Sequence, residues 1–375
     1  MKVIAKSACV LLLSSTSAFA GGFELQTLNT SSLYEEGNYG AFSFAKINSD
    51  LNGVGANTQK VKTLKDQSVA NGELKFETGK LDVGLVSFRS GAIQMSGDSD
   101  ATFVGSYAPS VNANLNTLAL IAKYSIGQNI DVLGGIQQNT LSDFNLTSVF
   151  GSYDISSKSN ISYIAGAAYS IPDIALRAEI LVQPGSEIST SGNYTSSAIT
   201  VPGLGAIPAG VPGAVQAKLK TPQTITFNFQ TGIAANTLIM GSIHHAKWGA
   251  AQTTATVATP SPAINGAAAV TSAFGDTTKY TIGLGRKFSD KVSGSLSYTH
   301  EAGSGATSKS VFTMSNGSRA LSVGMKYSLE NFDVSFGASR TMFGDVTVNP
   351  GSGQPDLVYS GNTATTFGLK LSTKF

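Results

Sequence analysis

Apolar and polar residues alternate with a period of two in stretch after stretch of this chain, and that pattern constrains the fold more than any other feature. The last thirteen residues, TATTFGLKLSTKF, set Phe367, Leu369 and Leu371 against Thr366, Gly368, Lys370 and Ser372 before ending on Phe375. Such alternation puts successive side chains on opposite faces of a strand. An amphipathic strand left at an exposed edge invites aggregation, so each side needs a neighbour. The same pattern recurs near residues 41–48, 72–78, 81–90, 115–126, 129–139, 160–171, 174–183, 222–233, 237–249, 277–288, 291–301, 318–329, 332–343 and 363–375. That makes fourteen strands, an even number, as a single-chain bacterial barrel requires.

The connections alternate between tight and long. Gly79-Lys80, Gly127-Gln128, Pro172-Asp173, Ala234 to Asn236, Ser289-Asp290 and Glu330-Asn331 are built from turn-forming residues. Between them run seven long loops, near 49–71, 91–114, 140–159, 184–221, 250–276, 302–317 and 344–362. With both termini in the periplasm, the tight turns face the periplasm and the long loops face outward. The last strand then pairs with the first.

A bilayer is the solvent this pattern needs. Charged residues are 13% of the chain, about half of what is usual in a soluble domain, and glycine reaches 41 residues. No stretch approaches the roughly 18 uninterrupted apolar residues of a membrane-spanning helix. The longest uncharged candidate, residues 201–215, is broken by Pro202, Pro208 and Pro212. Strands closed into a barrel are the other way to satisfy every backbone group in lipid.

At the N-terminus, Lys2 and Lys6 precede the short apolar run ACVLLL, and Ala18-Phe19-Ala20 leads into Gly21-Gly22. This reads as a secretory signal peptide over residues 1–20. It carries the only cysteine, Cys9, so the mature chain has no thiol or disulfide chemistry. Removing its two lysines leaves 23 basic against 23 acidic residues. Nucleic acid is an improbable partner for so balanced a chain.

Parity assigns faces. Val292, Leu296 and Tyr298 point to lipid, and Ser293, Ser295, Ser297 and Thr299 to the lumen. In the preceding strand Tyr280, Ile282, Leu284 and Phe288 point outward, against Thr281, Gly283 and Gly285. Phe288, Tyr327, Phe332 and Phe375 gather at the tight-turn end as an interfacial girdle. His244, His245, Lys247 and Trp248 read as a matching polar and aromatic girdle at the outer end. The same rule puts Lys123, Asp131, Arg177, Glu179, Lys326, Asp333 and Lys370 inside. These charges either pair with one another or offer Lys123, Arg177 and Lys370 to an anionic head group.

Three features could act on a ligand. The fourth long loop contains AITVPGLGAIPAGVPGAVQAKL, in which Leu204, Ile207, Val211 and Val215 expose apolar surface outside the cell as a capture site. The alternative is low-complexity filler packed on the other loops. The segment 21–39, GGFELQTLNTSSLYEEGNY, offers Phe23, Leu25, Leu28, Leu33 and Tyr34 to fold inside a wide barrel as a plug, or else forms a periplasmic leader. No serine-centred elbow, metal-spaced His/Cys cluster or phosphate loop stands out, so neither catalysis nor a metal or cofactor is expected.

Several elements together resemble the FadL-type family of outer-membrane transporters for long-chain fatty acids and aromatic hydrocarbons. These are GGFELQTLNTSSL at the start, LIAKYSIGQNIDVLGGI, TPQTITFNFQTGIAANTLIMGSIHHAKW, YTIGLGRKFSDKVSGSLSYTHE, and SRALSVGMKYSLENFDVSFGASR near the Phe-terminated last strand. The resemblance implies a monomeric all-β transmembrane antiparallel barrel of about 14 strands over residues 40–375, with a short N-terminal hatch at 21–39. It further implies a ligand that leaves sideways through a gap in the wall, for which Gly84 in the third strand is a candidate weak point. The chain departs from the family in lacking its Asn-Pro-Ala motif between hatch and barrel.

The expected function is passive transport of hydrophobic compounds, foremost long-chain fatty acids, across the outer membrane of a Gram-negative bacterium. The expected partners are that ligand, outer-membrane lipid and lipopolysaccharide, and, during biogenesis, the barrel-assembly machinery reading Phe375. The alternatives are a general diffusion porin for small polar solutes and an adhesin or structural barrel.

Overall fold

The computed structural model describes residues 23–55, 60–96, 109–148, 151–201, 205–258, 270–349 and 356–375. The leader at 1–20 and the loop residue Leu204 lie outside them. Fourteen strands form a closed antiparallel barrel: β1 (Tyr39–Asp50), β2 (Gln67–Thr78), β3 (Leu81–Met95), β4 (Ser110–Ile126), β5 (Ile130–Ser148), β6 (Lys158–Ile171), β7 (Leu176–Gln183), β8 (Thr224–Ala234), β9 (Thr237–Ala246), β10 (Thr277–Lys287), β11 (Val292–Glu301), β12 (Ser318–Ser328), β13 (Asp333–Phe343) and β14 (Thr363–Lys374). Each pairs with its sequence neighbours. The ring shuts where β14 lies against β1, in register from Tyr39↔Lys374 to Asp50↔Thr363.

All fourteen expected strands and all six expected tight turns are present, and four of the turns pass through a left-handed residue. Gly79 (φ 70°), Gly127 (φ 69°) and Asn236 (φ 58°) adopt the left-handed conformation, which costs these residue types least. After Pro172–Ile174, a single 3₁₀ turn, Ala175 takes φ 53° in the same role. That turn shortens the expected strand 174–183 to Leu176–Gln183.

The faces follow parity. Tyr280, Ile282, Leu284, Leu296 and Tyr298 are exposed, whereas Ser293, Ser297 and Thr299 are buried within. The outward surface is a belt of large apolar side chains that only lipid would solvate well. Phe288, Tyr327, Phe332 and Phe375 are exposed at the tight-turn rim, and Phe375 packs edge-on against Phe76 at 6.2 Å.

The long connections contain further strands rather than bare loops. Ser186–Ser196 pairs with Pro212–Thr221 and with Gly151–Ile155. Asn52–Val54, Lys60–Lys62, Thr307–Ser308, Val346–Val348 and Leu357–Tyr359 make a separate five-stranded sheet. Two apolar clusters fill the interior. The larger lies at the loop end and joins Phe23 and Leu25 to Leu141, Tyr153, Val215 and Val257. The smaller surrounds Leu28 and Leu33 with Phe88, Ile121, Leu133 and Leu181.

Candidate functional site: a divided lumen

Residues 23–38 run inside the barrel, held from above by a bulge in β3. The register of β3 against β4 shifts between Arg89 and Gly91, which disrupts the ladder there and frees inward groups. Ser90 accepts a hydrogen bond from the Leu25 amide at 2.8 Å, and the Ala92 amide donates to the Phe23 carbonyl at 3.0 Å. Gly91 is required at this point, because a Cβ would stand 2.9 Å from the Phe23 carbonyl oxygen. Phe23 itself packs on Trp248 at 5.0 Å and Phe274 at 5.6 Å, ring centre to ring centre.

Next to it, Glu24 meets His244 Nε2 at 3.0 Å and Lys279 Nζ at 3.8 Å, while His244 Nδ1 lies 2.8 Å from Thr226 Oγ1. Burial alone would raise the Glu24 pKa. The charges and hydrogen bonds of His244 and Lys279 outweigh it and hold the carboxyl below its ordinary range.

Lower down, Leu33 is fully buried and projects toward Gly84, where a Cβ would come within 2.7 Å of its Cδ2. Gly84 pairs with Lys75 on one side and Ile121 on the other, so the ladder is continuous there. The sequence's weak point in the wall is instead a socket for Leu33. Glu179 accepts hydrogen bonds from Thr30 (2.6 Å), Tyr34 (2.7 Å) and Asn228 (2.9 Å). The Tyr34 ring carries Arg177 at 4.0 Å and Lys123 at 4.7 Å. Burial, followed by the Glu179 carboxylate, raises the Tyr34 hydroxyl pKa, so this phenol stays protonated. The floor below is ionic: Lys75 and Lys123 share Asp82 at 2.9 and 2.7 Å, and Lys370 meets Glu73 at 2.9 Å.

Two cavities flank Phe23. The outer one holds about 520 Å³ of empty space and is walled by Ile93, Leu115, Leu141, Phe144, Leu219 and Phe274, with only Asn114, Thr253 and Ser272 as polar neighbours. No lysine, arginine or carboxylate lines it among the described residues. The inner one, about 540 Å³, is different in kind: Gln26, Thr117, Gln137, Asn139, Gln183 and Thr224 bring amides and hydroxyls to its wall, and Glu24 a carboxylate. Phe23 and Leu115 line both.

The residues singled out in the sequence scatter across this arrangement. Phe23, Leu25, Leu28, Leu33 and Tyr34 all lie within the lumen contacts just described. Lys123, Arg177 and Lys370 point inward, but each faces a carboxylate or a tyrosine ring of the floor rather than a cavity. The loop residues correct the expectation of exposed apolar surface. Val215 is fully buried in the outer cluster and Val211 packs half-buried beside it. The reason is that 212–221 is a strand, so one of its faces must be filled. Ile207 falls on a short strand paired with Ile199.

Trp248 and His244 also differ from the expected outer girdle. The strand stops at Ala246, a 3₁₀ turn at Trp248–Ala250 swings the indole inward, and of the four expected residues His245, bonded to Thr278, and the exposed Lys247 stay out of the interior. Sequence reasoning missed Trp248, Phe274 and Phe312 as cavity residues; that Trp248 is the sole tryptophan was the available signal. Among the described residues no group of three or more His, Cys, Asp or Glu side chains could hold a metal ion.

No family model and no curated protein matches this chain in sequence. In structure it is similar to a Pseudomonas aeruginosa FadL homologue, with a TM-score of 0.75 at 12% identity over 94% of this chain and 100% of that one. The Pseudomonas putida toluene transporter TodX superimposes with a TM-score of 0.66 at 10% identity, covering 96% and 97% of the two chains. The Ralstonia pickettii toluene transporter TbuX gives 0.63 at 12%, covering 96% and 98%. At these identities the likeness establishes the fold: the chain is a FadL-type barrel in architecture.

Proposed function

We propose that this barrel spans the outer membrane of a Gram-negative bacterium and passes hydrophobic molecules inward without chemistry or an energy source. The observation that carries this is the uncharged apolar cavity of about 520 Å³ beneath the outer loops, closed on its inner side by Phe23. A ligand entering it gains about 0.8 kcal/mol for each methylene withdrawn from water, which is enough to concentrate dilute hydrocarbon at the cell surface. Residues 23–38 act as the hatch, since they fill the lumen that a polar solute would need. The leader at 1–20 is removed on export, and Phe375 serves assembly of a monomeric barrel.

The capture surface is the interior of the folded loops, walled by Leu219, Phe274 and Phe312, and not the exposed tip around Leu204. Long-chain fatty acids are the narrower form of this reading. A carboxylate would find no cation in the cavity, because Lys123 and Lys370 are already ion-paired. Neutral hydrophobes such as decane or toluene therefore suit the site better than anionic ones.

The test uses the protein in lipid nanodiscs, with Trp248 emission as the reporter, and planar-bilayer conductance alongside. Saturable decane binding with little ion conductance is expected. Steady large conductance without binding would make the molecule a general porin instead.

A further inference from the structure

The inner cavity has a use that a purely apolar ligand would not need. Most of its polar groups are spent on one another. Gln183 Nε2 donates to Gln137 Oε1 at 2.9 Å, Thr224 donates to Gln183 Oε1 at 3.2 Å, and Thr117 donates to Asn139 Oδ1 at 2.8 Å. Gln26 is the exception. Its side chain is more than nine-tenths buried on this cavity, yet its Oε1 has no hydrogen-bond partner among the described residues. An unpaired buried acceptor is costly, and a donor arriving with a ligand would relieve that cost. Among the described residues no lysine or arginine lines the cavity, and Glu24 adds a carboxylate to its wall.

We infer that the inner cavity is a head-group site for uncharged, hydrogen-bond-donating amphiphiles, such as long-chain alcohols or primary amides, whose apolar tail occupies the outer cavity and whose O–H or N–H donates to Gln26 Oε1. This rests on the reading of the outer cavity as a hydrophobic-ligand site. The two cavities share Phe23 and Leu115 as a common wall, so one extended molecule occupies both once the Phe23 ring turns aside to let it pass. A carboxylate is disfavoured on two counts, since it meets the Glu24 charge and has no proton to offer Gln26. An ether oxygen in place of the hydroxyl is disfavoured for the second reason alone.

Trp248 lines the inner cavity and is the only tryptophan, so its emission reports occupancy without a label. Four probes are titrated into the full mature chain in nanodiscs: decane, 1-decanol, 1-methoxydecane and decanoate. Decanol should bind about tenfold tighter than methoxydecane, the scale of one hydrogen bond to a buried acceptor, and decanoate should bind weakest. Gln26→Met, similar in volume, should erase the decanol–methoxydecane gap and leave decane unchanged. Ratios between wild type and variant cancel partition of each probe into the lipid.

The inference is overturned if decanol and methoxydecane, each corrected for its uptake by protein-free vesicles of the same lipid, bind alike to the wild-type protein, a comparison that needs no variant to fold. It is equally overturned if the gap survives in Gln26→Met, or if decanoate binds tightest. Should decane bind while these comparisons fail, the transport reading stands alone. Should decane not bind at all, the transport reading falls and the head-group site with it.

Discussion

Three side chains of the N-terminal segment, Phe23, Leu33 and Glu24, each make an attachment that can be tested singly. Phe23 separates the cavities; Phe23→Ala removes its contacts with Trp248 and Phe274 and should cost about 3 kcal/mol of stability. Joined cavities should also raise single-channel conductance severalfold. Leu33 occupies the space over Gly84, so Gly84→Val should loosen the segment and raise conductance. The double variant with Leu33→Ala should restore the wild-type value; additive damage would mean that the two positions do not meet.

Glu24 sets a pH dependence. Its pKa is lowered in the fold, so the attachment it provides is complete above the ordinary carboxyl value of about 4.3 and is lost as pH falls through the lower folded value. Conductance should rise as pH falls below the ordinary carboxyl value toward the lower folded one. Glu24→Gln should lose that acid-induced step. At this scale the sequence was half legible. The apolar residues Phe23, Leu28 and Leu33 were read as able to fold inside the barrel, where they are buried, but nothing local to Gly84 said that its missing Cβ makes room for Leu33.

At the level of elements, period-two alternation located every strand of the barrel, because lipid outside and polar groups inside impose opposite demands on neighbouring residues. The same alternation misled in the loops. Val211 and Val215 were read as exposed because the run lacks charge, yet strand pairing from Thr190↔Ala217 to Thr195↔Pro212 gives it an inner face buried in the loop-end cluster, whose Leu219 lines the outer cavity. Val215→Asp therefore should bury an unpaired carboxylate, cost several kcal/mol locally and abolish decane binding. Val211→Asp, half-exposed, should do much less. Equal tolerance of both in a binding assay would argue that the outer cavity is not the capture site. The β3 bulge was likewise invisible in the sequence, since a bulge adds one residue to a strand without changing its composition.

For the whole molecule, the balance between lining and floor decides what can cross. An apolar chamber at the loop end, a hydrogen-bonding chamber behind Phe23 and an ionic floor at Lys75, Asp82 and Lys123 follow one another along the lumen. Deleting residues 23–33 should remove the partition and convert the barrel into an ion-conducting pore, with conductance at least tenfold above wild type. An unchanged value would mean that the loops alone seal it. The seam between β1 and β14 serves two purposes. Residues 23–38 precede the first strand, and Lys374 meets Glu35 at 2.9 Å while the Phe375 amide donates to the Asn38 carbonyl, so the end of β14 that shuts the ring also fastens the foot of the inner segment. Closure of the wall and anchorage of what lies inside it are thereby a single joint, and damage to that joint reaches both.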